Sequence, residues 1–213
     1  MLDAYCERTG LGLLGEPLNS FSNASFLIAA WAAWRLARRQ DKLTAGVKIL
    51  VILGYLVGIG SVLWHTYPTS TTLILDVVPI VLFIMWYIWL YTRQVIGART
   101  YLAAAYVVLF VLATYIGGSF SDVLHGAPVY APGLLVVLLL GTFHAINGKP
   151  ERYLLLATAG VYFAALFFRT IDQEVCARWP IGTHFLWHSL IGLVTYLAMR
   201  SLILSLPSKQ SPS

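Results

Sequence analysis

Of the 213 residues in this chain, 59% are hydrophobic and only 11% charged, and the mean hydropathy of +0.76 lies far above what a soluble domain of this length needs to bury a core. That composition excludes an ordinary soluble enzyme and points to an all-α integral membrane protein. The formal net charge of +5 is then a matter of where the basic residues fall, and nothing else in the sequence supports a nucleic-acid partner.

The chain opens on "MLDAYCERTG", whose acids and lack of a basic flank before an apolar core do not read as a signal peptide, so this segment is expected in the mature protein. Apolar stretches of roughly 17 to 25 residues, long enough to cross a bilayer as helices, follow at about 20–38, 46–65, 73–91, 101–117, 132–147, 153–169 and 183–204. Runs such as "GLLVVLLLG" would put apolar side chains on both faces of a strand, which a water-filled barrel does not accommodate. The expectation is a single seven-transmembrane helix bundle over 1–213, with 205–213, ending in "LPSKQSPS", as a flexible tail.

Basic residues accumulate on the cytoplasmic side of membrane proteins. With seven spans, one side holds Arg35, Arg38, Arg39, Lys42, Lys48, Arg93, Arg99, Lys149, Arg152, Arg200 and Lys209, which is eleven of the fourteen basic residues. The other side holds Arg8, Arg169 and Arg178 with seven of the nine acids, Asp3, Glu7, Glu16, Asp76, Asp122, Asp172 and Glu174. This places the N-terminus outside and the C-terminus in the cytoplasm. Cys6 and Cys176 then fall on the same outer side, where a disulfide is permitted, with two free thiols as the alternative.

Ser61 and His65 are four residues apart near the outer end of the second span and share one helix face. His184 and His188 repeat that spacing at the outer start of the seventh, and Asp76 opens the third. Ionisable groups inside a membrane are costly and mark functional sites. Three imidazoles can hold a catalytic Zn²⁺ and leave a position for water or substrate, while a nearby carboxylate can move protons and a hydroxyl can stabilise an oxyanion. Each residue also has a plainer reading. A helix-end histidine can serve as a core hydrogen-bonding group, Ser61 can bond back to its own helix, and Asp76 can be an N-cap. His125 and His144 lack such company and are read as structural. Arg169 and Asp172, three apart, suit a helix-end ion pair. Trp64, Trp179 and Trp187 suit the membrane interface.

"YCE" at 5–7, "EPLNSFSN" at 16–23, "GIGSVLWH" at 58–65, "LDVVPI" at 75–80, the Arg169, Asp172 and Cys176 pattern, and "HFLWH" at 184–188 occur in order along the chain. Together they resemble the alkaline ceramidases, within the seven-helix membrane hydrolases that include the adiponectin receptors. The resemblance implies Zn²⁺ held by His65, His184 and His188, with Asp76 and Ser61 as catalytic partners in hydrolysing the amide of ceramide to a sphingoid base and a fatty acid. It also implies a Cys6–Cys176 disulfide and a Ca²⁺ bound by N-terminal acids, to which Asp3, Glu7 and Glu16 correspond. Ala4 and Thr9 depart from the calcium pattern, and the alternative for Glu7 and Glu16 is a solvated or helix-capping role.

A metal at the membrane boundary suits a lipid substrate, with the amide at the headgroup and the acyl chains in hydrocarbon. The expected cavity opens to the outer leaflet and is lined by the second, third, sixth and seventh spans. Short loops and small size suggest a prokaryotic inner membrane with the active site near the periplasmic face. The rival readings are a receptor-like zinc protein without amidase activity, a hydrolase of another N-acyl lipid, a proton-coupled transporter and a haem protein.

Overall fold

The computed structural model describes residues 5–120 and 122–207. Among these the chain is helical throughout, in the order α1 (Pro17–Ser22), α2 (Ala24–Arg39), α3 (Ala45–Thr66), α4 (Ser70–Leu90), α5 (Thr100–Gly118), α6 (Ala131–Ile146), α7 (Leu154–Val175) and α8 (His184–Ser205). A π-helical turn, Tyr91–Ile96, prolongs α4, and a 3₁₀ segment, Val123–Tyr130, leads into α6.

Six helical stretches are long and apolar enough to cross a membrane. The expected span at 20–38 differs, because it forms α1 and α2 on either side of Asn23, and α2 has only 16 residues. At 1.5 Å per residue those cover about 24 Å, short of the roughly 30 Å hydrocarbon layer. The inner face of α2 is a stripe of Ala29, Ala30, Ala33 and Ala37, which lets it sit close to its neighbours. Of the expected tail, Ser205 ends α8, and 208–213 lie outside the described residues.

Each helix from α2 to α8 packs against the next in the chain, and α2 also packs on α8, so the seven close into a ring. The short α1 lies against α3 and α8. The core joins Leu50, Tyr91, Leu155, Met199, Leu202 and Ile203, all essentially inaccessible, while large apolar residues such as Leu109, Tyr115 and Phe163 face outward. That inversion of the usual surface is what a lipid environment selects.

Local signals fix where the helices carrying the polar residues start. Thr44 caps α3, its hydroxyl accepting from the Val47 amide. Thr69 and Thr72 form a reciprocal capping box at α4. The N-cap of α4 is therefore Thr69, and Asp76 sits about two turns inside the helix, free of any capping role. Further along α4, Pro79 has no amide to donate to the carbonyl of Leu75. A side chain at Gly60 of α3 would collide with that carbonyl. The glycine thus allows the two backbones to touch, which brings the next residue, Ser61, beside Asp76.

Candidate active site at one end of the bundle

The C-terminal end of α3, the first turns of α4 and the N-terminal end of α8 meet on one side of the ring. His65, His184 and His188 are 1%, 3% and 3% exposed. Their ring centroids are 5.3 Å (His65–His184), 4.7 Å (His65–His188) and 4.5 Å (His184–His188) apart. Each ring offers one nitrogen such that all three lie within 4.8 Å of one another, a group suited to hold a metal ion. The i,i+4 pair on α8 and the single histidine on α3 thus converge across a separation of more than a hundred residues.

The hydrogen bonds of these rings fit metal ligands. His65 uses Nδ1 toward the Glu16 carboxylate at 2.8 Å. His188 uses Nδ1 toward the Asn19 carbonyl at 3.1 Å and the Ser22 hydroxyl at 2.9 Å. Such outer partners fix ring orientation and tautomer in metal sites. The Nδ1 of His184 is buried without a hydrogen-bond partner among the described residues, a costly arrangement for a ring whose only neighbours are protein. Tyr5 stacks on that ring with centroids 4.0 Å apart and lies 4.9 Å from His65, forming a wall of the site. Burial pushes the Tyr5 phenol well above its ordinary range, so it stays protonated and can donate a hydrogen bond.

Beneath the histidines a cavity runs into the bundle. Tyr5, Ser61, His65, Asp76, His184 and His188 line its polar end. Its apolar walls come from α2, α3, α4, α6, α7 and α8, with Phe26, Phe83, Val137, Ile191 and Val194 among them. Helices α2, through Phe26, and α6 therefore join the four spans expected to line it. Ser61 is buried and its side chain interacts with that of Asp76.

The remaining sequence candidates fall as follows. Cys6 and Cys176 form a disulfide with Cα atoms 5.2 Å apart. Among the described residues no ion pair joins Arg169 to Asp172. Asp172 instead accepts from the backbone amides of Cys6, Thr183 and His184 at 3.2, 2.6 and 3.0 Å, which secures the start of α8. Arg169 donates to the His125 carbonyl and lies over the Tyr130 ring. Backbone amides at a helix start are fixed, otherwise unsatisfied donors that suit a carboxylate. His125 pairs with Glu174 at the surface, and His144 is a buried hydrogen-bonding residue, as expected. Trp64 and Trp187 are buried in the bundle and only Trp179 is open to the surroundings.

Of the acids matched to calcium, the two that are described are engaged by groups of the protein itself. Asp3 lies outside the described residues. Glu7 accepts from the amides of Leu18 and Asn19, both at 2.7 Å, and so caps α1. Glu16 is fully buried, accepting from Asn19 and His65 and ion-paired to Arg8. A calcium ion takes six to eight oxygen ligands, whereas the partners of the Glu16 carboxylate among the described residues are nitrogen groups of Arg8, Asn19 and His65. Burial pushes the Glu16 carboxyl up, but the His65 and Asn19 hydrogen bonds and the Arg8 charge outweigh it and hold the pKa below its usual value.

Sequence reasoning did not single out Tyr5, Arg8, Asn19 or Ser22. All four sit in or beside the motifs "YCE" and "EPLNSFSN", whose clustering before and at the start of the first expected span is the available signal.

A search of curated proteins found no match. The family model for ceramidase matches residues 5–212, nearly the whole chain, and spans every residue of the site described above. The protein belongs to the ceramidase family.

Proposed function

We propose that this protein is a zinc-dependent intramembrane amidase that hydrolyses ceramide-like N-acyl sphingolipids to a sphingoid base and a free fatty acid. The observation that carries the reading is the convergence of three buried imidazoles at the polar end of an apolar cavity, with Ser61 and Asp76 in the same lining. His65, His184 and His188 would hold the ion. Zn²⁺ bound by three histidines acts as a Lewis acid, lowering the pKa of water and polarising a carbonyl.

The chain's own groups supply the rest. The apolar walls accept the hydrocarbon of the lipid and leave its amide among the polar residues. Asp76 takes a proton from the attacking water as the carbon–oxygen bond forms, and delivers it to the nitrogen as the carbon–nitrogen bond breaks. The Ser61 hydroxyl donates a hydrogen bond to the carbonyl oxygen as it gains charge. Tyr5 covers the histidines and keeps bulk water from them.

In the membrane, residues 17–39 act together as the first of seven passes. The N-terminus and the active site face outward and the C-terminus faces the cytoplasm, as the basic residues dictate. The disulfide on the active-site side agrees with an oxidising compartment, such as the periplasm beyond a prokaryotic inner membrane.

Zinc content and fatty-acid release from a panel of N-acyl sphingolipids and other N-acyl lipids test this reading. Wild type should hold about one zinc per chain and release fatty acid from ceramides. Asp76→Asn should keep the zinc and lose roughly 10²- to 10⁴-fold in turnover. Zinc-loaded wild type that cleaves none of the panel would favour a receptor-like protein, and cleavage confined to other N-acyl lipids would change the substrate class.

A further inference from the structure

Arg8 is an unusual residue for the end of an oily bundle. Its side chain is only 3% exposed, and its guanidinium pairs with Glu16, which is itself inaccessible. The same guanidinium lies 5.7 Å from the Tyr5 ring centroid and 5.5 Å from that of Trp64, so the cation rests against two aromatic faces. From Glu16 the chain of contacts continues through the 2.8 Å hydrogen bond to Nδ1 of His65. Nothing in the proposed reaction uses Arg8, and a buried cation persists only where its partners compensate the loss of water.

We propose that Arg8 is the built-in cation of this site, a positioning residue that holds Glu16 as the acceptor for His65 and stands where a bound divalent ion would otherwise neutralise that carboxylate. With Arg8 in place Glu16 is the fixed acceptor for the Nδ1 proton of His65, which leaves Nε2 as the ring's free ligand atom. A tethered guanidinium needs no ion from solution. Metal binding at the three histidines is therefore independent of calcium, in agreement with the protein donors that occupy the Glu7 and Glu16 carboxylates among the described residues. The geometry favours arginine over lysine, because its planar fork can engage a carboxylate while its face lies on aromatic rings.

The inference rests on the zinc reading above for its effect on His65, and the test separates the two. Purified full-length protein in detergent micelles is melted in excess Ca²⁺ and in a calcium-selective chelator, and its zinc affinity is measured by competition with a zinc chelator under both conditions. Wild type should melt at the same temperature and bind zinc equally well with and without calcium. Arg8→Met should bind zinc about 10- to 100-fold more weakly, the range for loss of an outer-shell partner, and Arg8→Lys should recover part of that loss. A rise in wild-type melting temperature or zinc affinity with calcium would overturn the proposal, as would Arg8→Met binding zinc as tightly as wild type. Should Arg8→Met fail to fold, the wild-type calcium comparison decides alone. Wild type that binds no zinc under either condition strikes the hydrolase reading, while its melting in calcium still judges whether Arg8 fills the cation position.

Discussion

Two buried histidine environments at opposite ends of the bundle show what separates a candidate metal site from structural packing. His144, near the end of α6, is fully inaccessible, and both its ring nitrogens are taken by protein: Nδ1 by the Tyr91 hydroxyl at 2.6 Å and Nε2 by the Pro150 carbonyl at 2.7 Å. His65 and His188 are as deeply buried, yet among the described residues their hydrogen bonds engage only Nδ1, and the Nδ1 of His184 has no partner. Burial alone is uninformative. What matters is whether a ring keeps a nitrogen for a ligand, and whether other rings present theirs to the same point.

The sharpest way to break this comparison is to remove a ring from each end. His188→Ala should lose zinc and all detectable amide hydrolysis, because two imidazoles fall short of the three protein ligands that a catalytic zinc site uses. Zinc analysis with a fatty-acid assay checks this, and retention of both would remove His188 from the set.

Next in size is the disulfide, which ties the segment bearing Tyr5, Arg8 and Glu16 to the end of α7 across 170 residues of sequence. Cys6→Ser should cost about 2 to 5 kcal/mol, with weaker zinc binding as that segment loosens. Thermal denaturation and zinc competition measure the two effects, and an unchanged melting temperature would show that packing alone holds the segment.

His144→Phe should have the smallest effect. It leaves the Tyr91 hydroxyl and the Pro150 carbonyl without their partner, at about 1 to 3 kcal/mol for a stranded buried group, with zinc content unchanged. Loss of zinc in this variant would erase the distinction between the ends.

The placement of the three histidines was legible in the sequence for a physical reason. An i,i+4 pair fixes a common helix face without tertiary information, and counting spans puts His65, Asp76, His184 and His188 at one membrane depth. The support around them was not legible. Glu16 meets His65 across 49 residues and Asp172 reaches the start of α8. The segment before α1 has no periodicity to fix its direction, because side-chain hydrogen bonds and a disulfide hold it in place. Glu7 illustrates the limit: the family resemblance reads it as a calcium ligand with helix capping as the alternative, and its carboxylate accepts from the amides that open α1. The division of the expected first span into α1 and α2 was not legible for a related reason, since apolar composition does not register a break at Asn23.

X-ray absorption at the zinc edge, recorded on purified wild type, tests the convergence of the three rings most directly. The account predicts three imidazole nitrogens at about 2.0 to 2.1 Å, completed by oxygen. A spectrum with fewer than three imidazoles, or zinc bound through sulfur, would contradict it.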